Sequence, residues 1–309
     1  MRYYVVHNPK SGRHDSDESA TLLAQAFKES GLDVEFIPID AAPSLSGRAQ
    51  IGARAAKRNH GALIAAGGDG TINCVAAAAL HEDALFGAIP LGTFNYFGRE
   101  HGIPLEPAAA VRALLNATVE TQQVGWVNER LFLINASLGI YATLQEEREA
   151  DKRRFGRSRV VAILSGLKSL LTEPRKLTLE IQSDGDTQLI STPSLFVANS
   201  HLQMGRVGLV ARQLDSLERG QLVAIVLKPA STAALFVMAL FGALGRLSAA
   251  ENVLSFSFRQ LLVRPRRERQ LKVSTDGEVA LMRTPLAFKV GPHALKLLKP
   301  AADERAPIQ

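Results

Sequence analysis

The chain has 309 residues, 46% of them hydrophobic, which is enough apolar material for two cores and excludes an intrinsically disordered protein. A formal net charge of +6 tilts its partners toward anions, and the single cysteine, Cys74, excludes an internal disulfide and any all-cysteine zinc site. One cysteine fits a reducing compartment, and the start Met1 to His7 lacks the apolar core of a secretory signal, so a cytoplasmic placement is expected.

In chain order, Arg2 to His7 reads as a strand, followed by a polar turn and an amphipathic helix from Ser16 to Ser30 closed by Gly31. The pattern then repeats: Val34 to Ile39 as strand, Ser46 to Arg58 as helix, Ala62 to Ala66 as a buried strand and Thr71 to Leu80 as an Ala-rich helix. Leu85 to Leu91 is a strand, and Pro107 to Asn116 a helix with proline in its first turn. Such alternation predicts a doubly wound parallel sheet over residues 1–123, with ligands at the carboxyl ends of its strands.

From Val124 the texture changes to closely spaced β runs: Leu131 to Ala136, Lys176 to Gln182, Ser194 to Asn199, Leu222 to Leu227, Gln260 to Arg264, Leu271 to Ser274 and Leu286 to Val290. Turn signals separate several of them and predict an antiparallel sandwich over 124–300, leaving 301–309 as a tail. Helical insertions are expected at about Tyr141 to Leu171 and Ala230 to Leu247. The second is apolar but interrupted by Ser231, Thr232 and two glycines, short of the ~20 residues of a membrane span.

Chemistry concentrates at three turns. Gly67-Gly68-Asp69-Gly70-Thr71-Ile72-Asn73 lies between a buried strand and a helix, where glycines bring bare amides close to an anion and the helix adds its positive end. Asp69 inside a phosphate cradle calls for magnesium or a reacting proton; the other reading is that it caps the helix. Asn8-Pro9-Lys10-Ser11-Gly12 follows the first strand, and Gly92-Thr93-Phe94-Asn95 follows the strand ending near Leu91. In one doubly wound sheet these turns converge, offering short donors and the charge of Lys10 to phosphate or ribose. There is no Walker loop, and a dinucleotide fingerprint fails because its third glycine would fall at Asn73.

Asn-Pro-x-Ser-Gly, Gly-Gly-Asp-Gly-Thr-x-Asn and Pro-Leu-Gly-Thr-x-Asn, in that order, resemble the diacylglycerol kinase catalytic-domain family, which includes bacterial lipid kinases and the sphingosine kinases. Ser274-Thr275-Asp276-Gly277-Glu278 extends the likeness, matching that family's Asp-Gly-Glu. The resemblance implies a nucleotide-binding α/β domain, a β-rich domain for a lipid substrate, and an active site in the cleft between them. It implies transfer of the γ-phosphate of ATP to a lipid hydroxyl, with magnesium arriving on ATP near Asp69. Asp276 is then the base, Glu278 holds it or exchanges roles with it, and Asp69 is a rival. Read from residues alone, Asp276-Gly277 is a tight hairpin turn. The chain departs from the family at Asn95-Tyr96, where many members have Asn-Asp, and at Ile39-Asp40, where many have threonine. It also has Glu218-Arg219-Gly220-Gln221-Leu222-Val223 in place of an Asp-Asp-Gly-x-Leu-Asp magnesium turn, so no structural metal site is expected.

Competing functions are an NAD-kinase-like enzyme of a soluble hydroxyl and a non-catalytic binder of nucleotide or lipid. Nucleic acid is not an expected partner, because the basic clusters lack interleaved aromatics. A lipid acceptor predicts peripheral attachment to an anionic membrane, through Arg148, Lys152, Arg153, Arg154, Arg157 and Arg159 or the apolar stretch 230–247.

Overall fold

A computed structural model describes residues 1–9, 16–139, 176–183, 186–207, 211–229 and 253–307. Lys10, Ser11, Gly12, the basic cluster 148–159 and the apolar stretch 230–247 lie outside the described residues. The chain divides into two compact units, residues 1–124 with 292–309, and residues 125–291.

The first unit opens with β1 (Tyr3–His7), all five side chains buried, and α1 (Ser16–Ser30), whose Leu23 and Phe27 stack one turn apart against the core. β2 is shorter than the sequence pattern predicts, Val34–Phe36. Pro38 cannot donate to a ladder, and Ile39–Ala41 coil into a single 3-10 turn instead. α2 (Leu45–Arg58) starts one residue earlier than expected because Ser44 is its N-cap, accepting the Gly47 N–H at 3.1 Å. β3 (Ala62–Gly67), α3 (Asp69–His81), β4 (Leu85–Pro90), a short α4 (Tyr96–Glu100) and α5 (Pro107–Arg112) follow. β3 is buried along its whole length, as a central parallel strand covered on both faces requires.

This sheet is completed from the far end of the chain. β5 (Thr118–Gln122) and β18 (Leu295–Lys299) give the order β2-β1-β3-β4-β18-β5, parallel except for the β18–β5 pair. Asp83, at the turn before β4, accepts from Lys57 at 2.8 Å and Lys296 at 2.6 Å, so one carboxylate links α2 to β18.

The second unit is antiparallel throughout. Its strands are β6 (Gly125–Val127), β7 (Arg130–Phe132), β8 (Asn135–Gly139), β9 (Leu177–Ser183), β10 (Asp186–Thr192) and β11 (Ser194–Ala198). After α6 (His201–Val207) and α7 (Ala211–Glu218) come β12 (Leu222–Leu227), β13 (Val253–Phe258) and β14 (Gln260–Pro265). β15 (Gln270–Thr275), β16 (Glu278–Arg283) and β17 (Leu286–Val290) complete it. They form two six-stranded sheets, β10-β9-β14-β17-β6-β7 and β13-β12-β11-β8-β15-β16, sharing a core of Phe132, Leu138, Leu179, Val197, Val226, Val263, Val273 and Phe288. The run 131–136, predicted as one strand, is divided between the two sheets, with Leu133 and Ile134 at the crossing.

The hydrogen bonds of Lys296 and then Lys57 hold the Asp83 carboxyl at about 2, below its ordinary 3.8. A depressed carboxyl stabilises the folded state fully above the unfolded value and loses that contribution as pH falls toward the folded one. Asp83→Asn should therefore flatten the acid limb of stability between about pH 4 and 2. Urea midpoints across that range check this, and an unchanged acid limb would remove the network from the account.

Candidate functional site

The described parts of the three loops singled out in the sequence, Asn8-Pro9 of the first among them, lie at the carboxyl ends of β1, β3 and β4. The Asn8 N–H donates to Ala66 O at 3.0 Å and the Leu91 N–H to Gly67 O at 2.9 Å, so the strands stay paired to the last residue before each loop. Asn8 Nδ2 then reaches Thr71 Oγ1 at 2.9 Å, tying the first loop to the first turn of α3. Thr71 is buried there, while Gly68, Asp69 and Gly70 are half-buried.

Gly92 and Gly68 touch through their backbones. A Cβ on Gly92 would lie 2.8 Å from Gly68 Cα and 2.8 Å from Asn95 Oδ1, closer than any real side chain sits. A Cβ on Gly68 would meet Gly92 Cα at an ordinary 3.5 Å. Gly68 is the N-cap of α3 and Asp69 its first residue, so the capping reading of Asp69 fails; its Oδ1 instead accepts the Phe97 N–H of α4 at 3.2 Å. An α3 that begins at this turn presents its first amides and its positive end to whatever occupies the loops.

Asn95 sits in the left-handed region at φ 52°, conformationally tolerable for asparagine, and donates through Nδ2 to Gly92 O at 3.0 Å. Its Oδ1 is buried with no hydrogen-bond partner, an acceptor suited to a ribose hydroxyl or a magnesium-bound water. Thr93 and Phe94 are exposed beside it, and Phe94 stacks on Tyr96 at 5.5 Å between ring centroids.

Sequence reasoning missed Arg48. The residue is 7% exposed and its guanidinium donates to His7 O at 2.9 Å, with no carboxylate paired to it among the described residues. The readable signal was an arginine on the small-residue face of α2, in line with Ala49, Gly52, Ala53 and Ala56. A buried guanidinium at the end of β1 puts a fixed positive charge at this edge of the sheet. Burial, and then the Arg48 charge, keep the neighbouring His7 below its ordinary value and hence neutral.

The Asp-Gly-Glu segment lies in the second unit. Asp276 and Gly277 are the two central residues of the β15–β16 hairpin, Thr275 pairing with Glu278, with φ 49° and 91° as a type I′ turn demands. The Asp276 carboxylate accepts three backbone amides: Leu133 at 2.7 Å, Ile134 at 2.9 Å and Asn135 at 3.0 Å. These belong to the crossing between sheets, where ladder bonds are interrupted. Asn199 serves the matching carbonyls, donating its N–H to Ile134 O and its Nδ2 to Leu133 O, each at 2.8 Å. Glu278 is exposed and pairs with Arg130 at 2.8 Å.

Beside this turn, Ser137 and Ser274 face each other across β8 and β15, both fully buried and both with hydroxyls lacking a partner. Asn135 Oδ1 is likewise unpaired, while Asn135 Nδ2 donates to Gln203 Oε1 at 2.8 Å. Serines inside a strand gave no sequence signal, yet Ser274 lies two residues before Asp276, Ser137 pairs with Ser274 across the ladder, and the Asn135 N–H donates to the Asp276 carboxylate. Among the described residues no group of three or more His, Cys, Asp or Glu is placed to hold a metal, and no helix is long and apolar enough to cross a membrane.

Residues 2–127 match the model of the diacylglycerol kinase catalytic domain. A Pseudomonas aeruginosa protein named "Probable lipid kinase YegS-like" is 32% identical over 170 residues, 54% of this chain and 51% of that protein. A Bacillus subtilis protein named "Diacylglycerol kinase" is 31% identical over 188 residues, 60% of each chain. The chain thus spans about half the length of the curated relatives it matches. A Bacillus anthracis crystal structure described as a diacylglycerol kinase superposes with a TM-score of 0.71 over 98% of both chains at 19% identity, which establishes a shared fold.

Gly92→Ala should lower unfolding stability by about 1–3 kcal/mol, since the added methyl group must push one loop off the other. Gly68→Ala should stay close to wild type, and equal stability of the two variants in urea would contradict the packing. Asp276→Asn replaces an acceptor with a donor facing backbone N–H groups, and should cost about 1–3 kcal/mol. Glu278→Gln loses only an exposed pair and should change stability by less than about 1 kcal/mol. Similar urea midpoints for these two variants would overturn the structural account of Asp276.

Proposed function

We propose a function for a chain that, over residues 2–127, belongs to the diacylglycerol kinase catalytic-domain family: an ATP-dependent lipid kinase that transfers the γ-phosphoryl group of magnesium-ATP to a lipid hydroxyl. The observation that carries this reading is that the described parts of three loops lie at the strand ends of the first unit, with helix α3 starting between them. Asn8, Gly67, Gly68, Gly70, Thr71, Asn73, Gly92, Thr93 and Asn95 are proposed as the described part of the nucleotide cradle. Pro9 shapes its first turn, and Lys10, Ser11 and Gly12 are proposed with it from the sequence alone. Arg48 adds a fixed positive charge at the same edge. The names of the curated relatives support a lipid acceptor.

Phosphoryl transfer passes through a loose transition state, so the protein's work is positioning and charge neutralisation rather than strong base catalysis. Magnesium would come with the phosphates of ATP and neutralise their charge, with Asp69 the carboxylate inside the glycine turn. Asp276 is the proposed acceptor of the lipid hydroxyl proton. Three amides fix its carboxylate, Leu133 at Oδ2 and Ile134 and Asn135 at Oδ1. Glu278 supports Asp276 only through their shared turn, since its own partner is Arg130. The unmet hydroxyls of Ser137 and Ser274 and the Asn135 carbonyl are polar groups that a hydroxyl-bearing head group could satisfy.

The test incubates the purified chain with γ-labelled ATP, magnesium and a total lipid extract. Label is expected in a lipid phosphate. Label found only on a soluble acceptor such as NAD would establish the soluble-hydroxyl enzyme instead, and ATP binding without transfer would establish a non-catalytic member. Turnover per folded molecule should fall by about 10²–10⁴ in Asp276→Asn, assayed below its melting temperature. Near wild-type turnover there would pass the base role to Asp69.

A further inference from the structure

Three of the arginines described on the surface of the second unit are neutralised. Arg130 pairs with Glu278 at 2.8 Å, Arg264 with Glu180 at 3.3 Å, and Arg219 lies 4.0 Å from Asp215. Four at the opposite end of the β15–β16 hairpin from Asp276 are not: Arg266, Arg267 and Arg269 in the loop between β14 and β15, and Arg283 at the end of β16. All four are exposed and none has a carboxylate partner among the described residues. Two of them, with Gln270 and Thr284, line a cavity of about 660 Å³.

The backbone that carries these charges is pinned. The Arg266 N–H donates to Thr178 O at 3.0 Å, the Thr284 N–H to Arg269 O at 3.0 Å, and Thr284 Oγ1 to Glu268 O at 3.0 Å. Asn128 Nδ2 holds Arg283 O at 3.2 Å, and Gln270 pairs with Arg283 across the ladder. Fixed anchor points hold the backbone that carries these charges, and they keep Arg269 and Arg283 on one cavity, an arrangement that an anion resolves. Guanidinium forks match phosphate oxygens two at a time. Leu281, two residues before Arg283 on the same face of edge strand β16, is 62% exposed. An apolar side chain beside paired-off phosphate chemistry fits a bilayer surface better than a dissolved phosphate.

We infer that the Arg269–Arg283 cavity, with Arg266 and Arg267 in the same loop as Arg269, is a binding site for phosphate head groups that docks the second unit on an anionic phospholipid membrane. It rests on the membrane setting of the proposed function but on none of its chemistry, and it shares no residue with the nucleotide loops.

The test pellets the full chain with vesicles free of any kinase acceptor and without ATP. Binding should require phosphatidylglycerol in phosphatidylcholine vesicles and weaken as salt rises. Arg269→Gln/Arg283→Gln should lower vesicle affinity by about tenfold or more. Arg219→Gln/Arg264→Gln removes the same charge from paired arginines and should bind nearly as wild type. The inference falls if both double variants lose binding equally, if the cavity variant binds as wild type, or if phosphatidylcholine alone suffices. It also falls if inorganic phosphate releases the protein more effectively than chloride of equal ionic strength, which would mark a site for the free anion. Phosphorylation of detergent-dispersed lipid, measured separately, should survive the cavity substitutions. A chain inert in that assay but docked through the cavity would sink the kinase reading and leave this one standing.

Discussion

The contact between Gly68 and Gly92 is the constraint on which the first unit's chemistry depends. Parallel strands β3 and β4 must release their chains into loops at adjacent positions, and here the two backbones come within reach of a single missing methyl group. That approach orients three things at once. It sets the start of α3, it brings Asn95 back onto Gly92 O, and it places the Asp69 carboxylate where the first amides of α4 can bond it. A phosphate cradle assembled from backbone amides cannot be adjusted by side-chain rotation, so its precision has to come from close packing of this kind.

The second unit meets a different problem by a related device. Where the chain passes from one sheet to the other at Leu133 and Ile134, the ladder is broken on both sides, and each orphaned group is costly if buried. Asp276 supplies the acceptors and Asn199 the donors. A carboxylate that serves as a structural clamp is also one whose position varies little, which is what an acceptor-side group needs. The hairpin reading and the site reading of Asp276-Gly277 are therefore compatible: the left-handed turn is what aims the carboxylate at the crossing.

Much of this was legible before the structure. Residue periodicity located α1 to its ends, and β12 and β17 likewise, because their apolar patterns and flanking turns agree. The glycine turn was readable as a strand-to-helix junction because its neighbours are an unbroken buried strand and an alanine-rich helix. Elements that escaped were those whose residues carry no pattern of their own. β10 is mostly exposed and polar, and α4 spans five residues around a glycine. β5 and β18 were invisible as partners because nearly 180 residues separate two strands that pair directly. Arg48 and the Ser137–Ser274 pair were missed for a common reason: their importance lies in burial without enough partners, which no linear pattern encodes.

The insertion of β18 between β4 and β5 has a consequence for biosynthesis. β5 is hydrogen-bonded to β18 and to no other strand, so when residues 118–122 leave the ribosome their partner is still untranslated. The first unit must wait, one slot open, while the whole of the second unit is made. The first and last strands of that second unit lie side by side, Gly125 opposite Val290, so its folding carries the returning chain back toward the point where it departed. The order of synthesis thus favours the inserted unit closing first and delivering the missing strand. A fragment cut at the boundary of the recognisable catalytic domain would emerge with an open sheet edge, prone to pair with copies of itself.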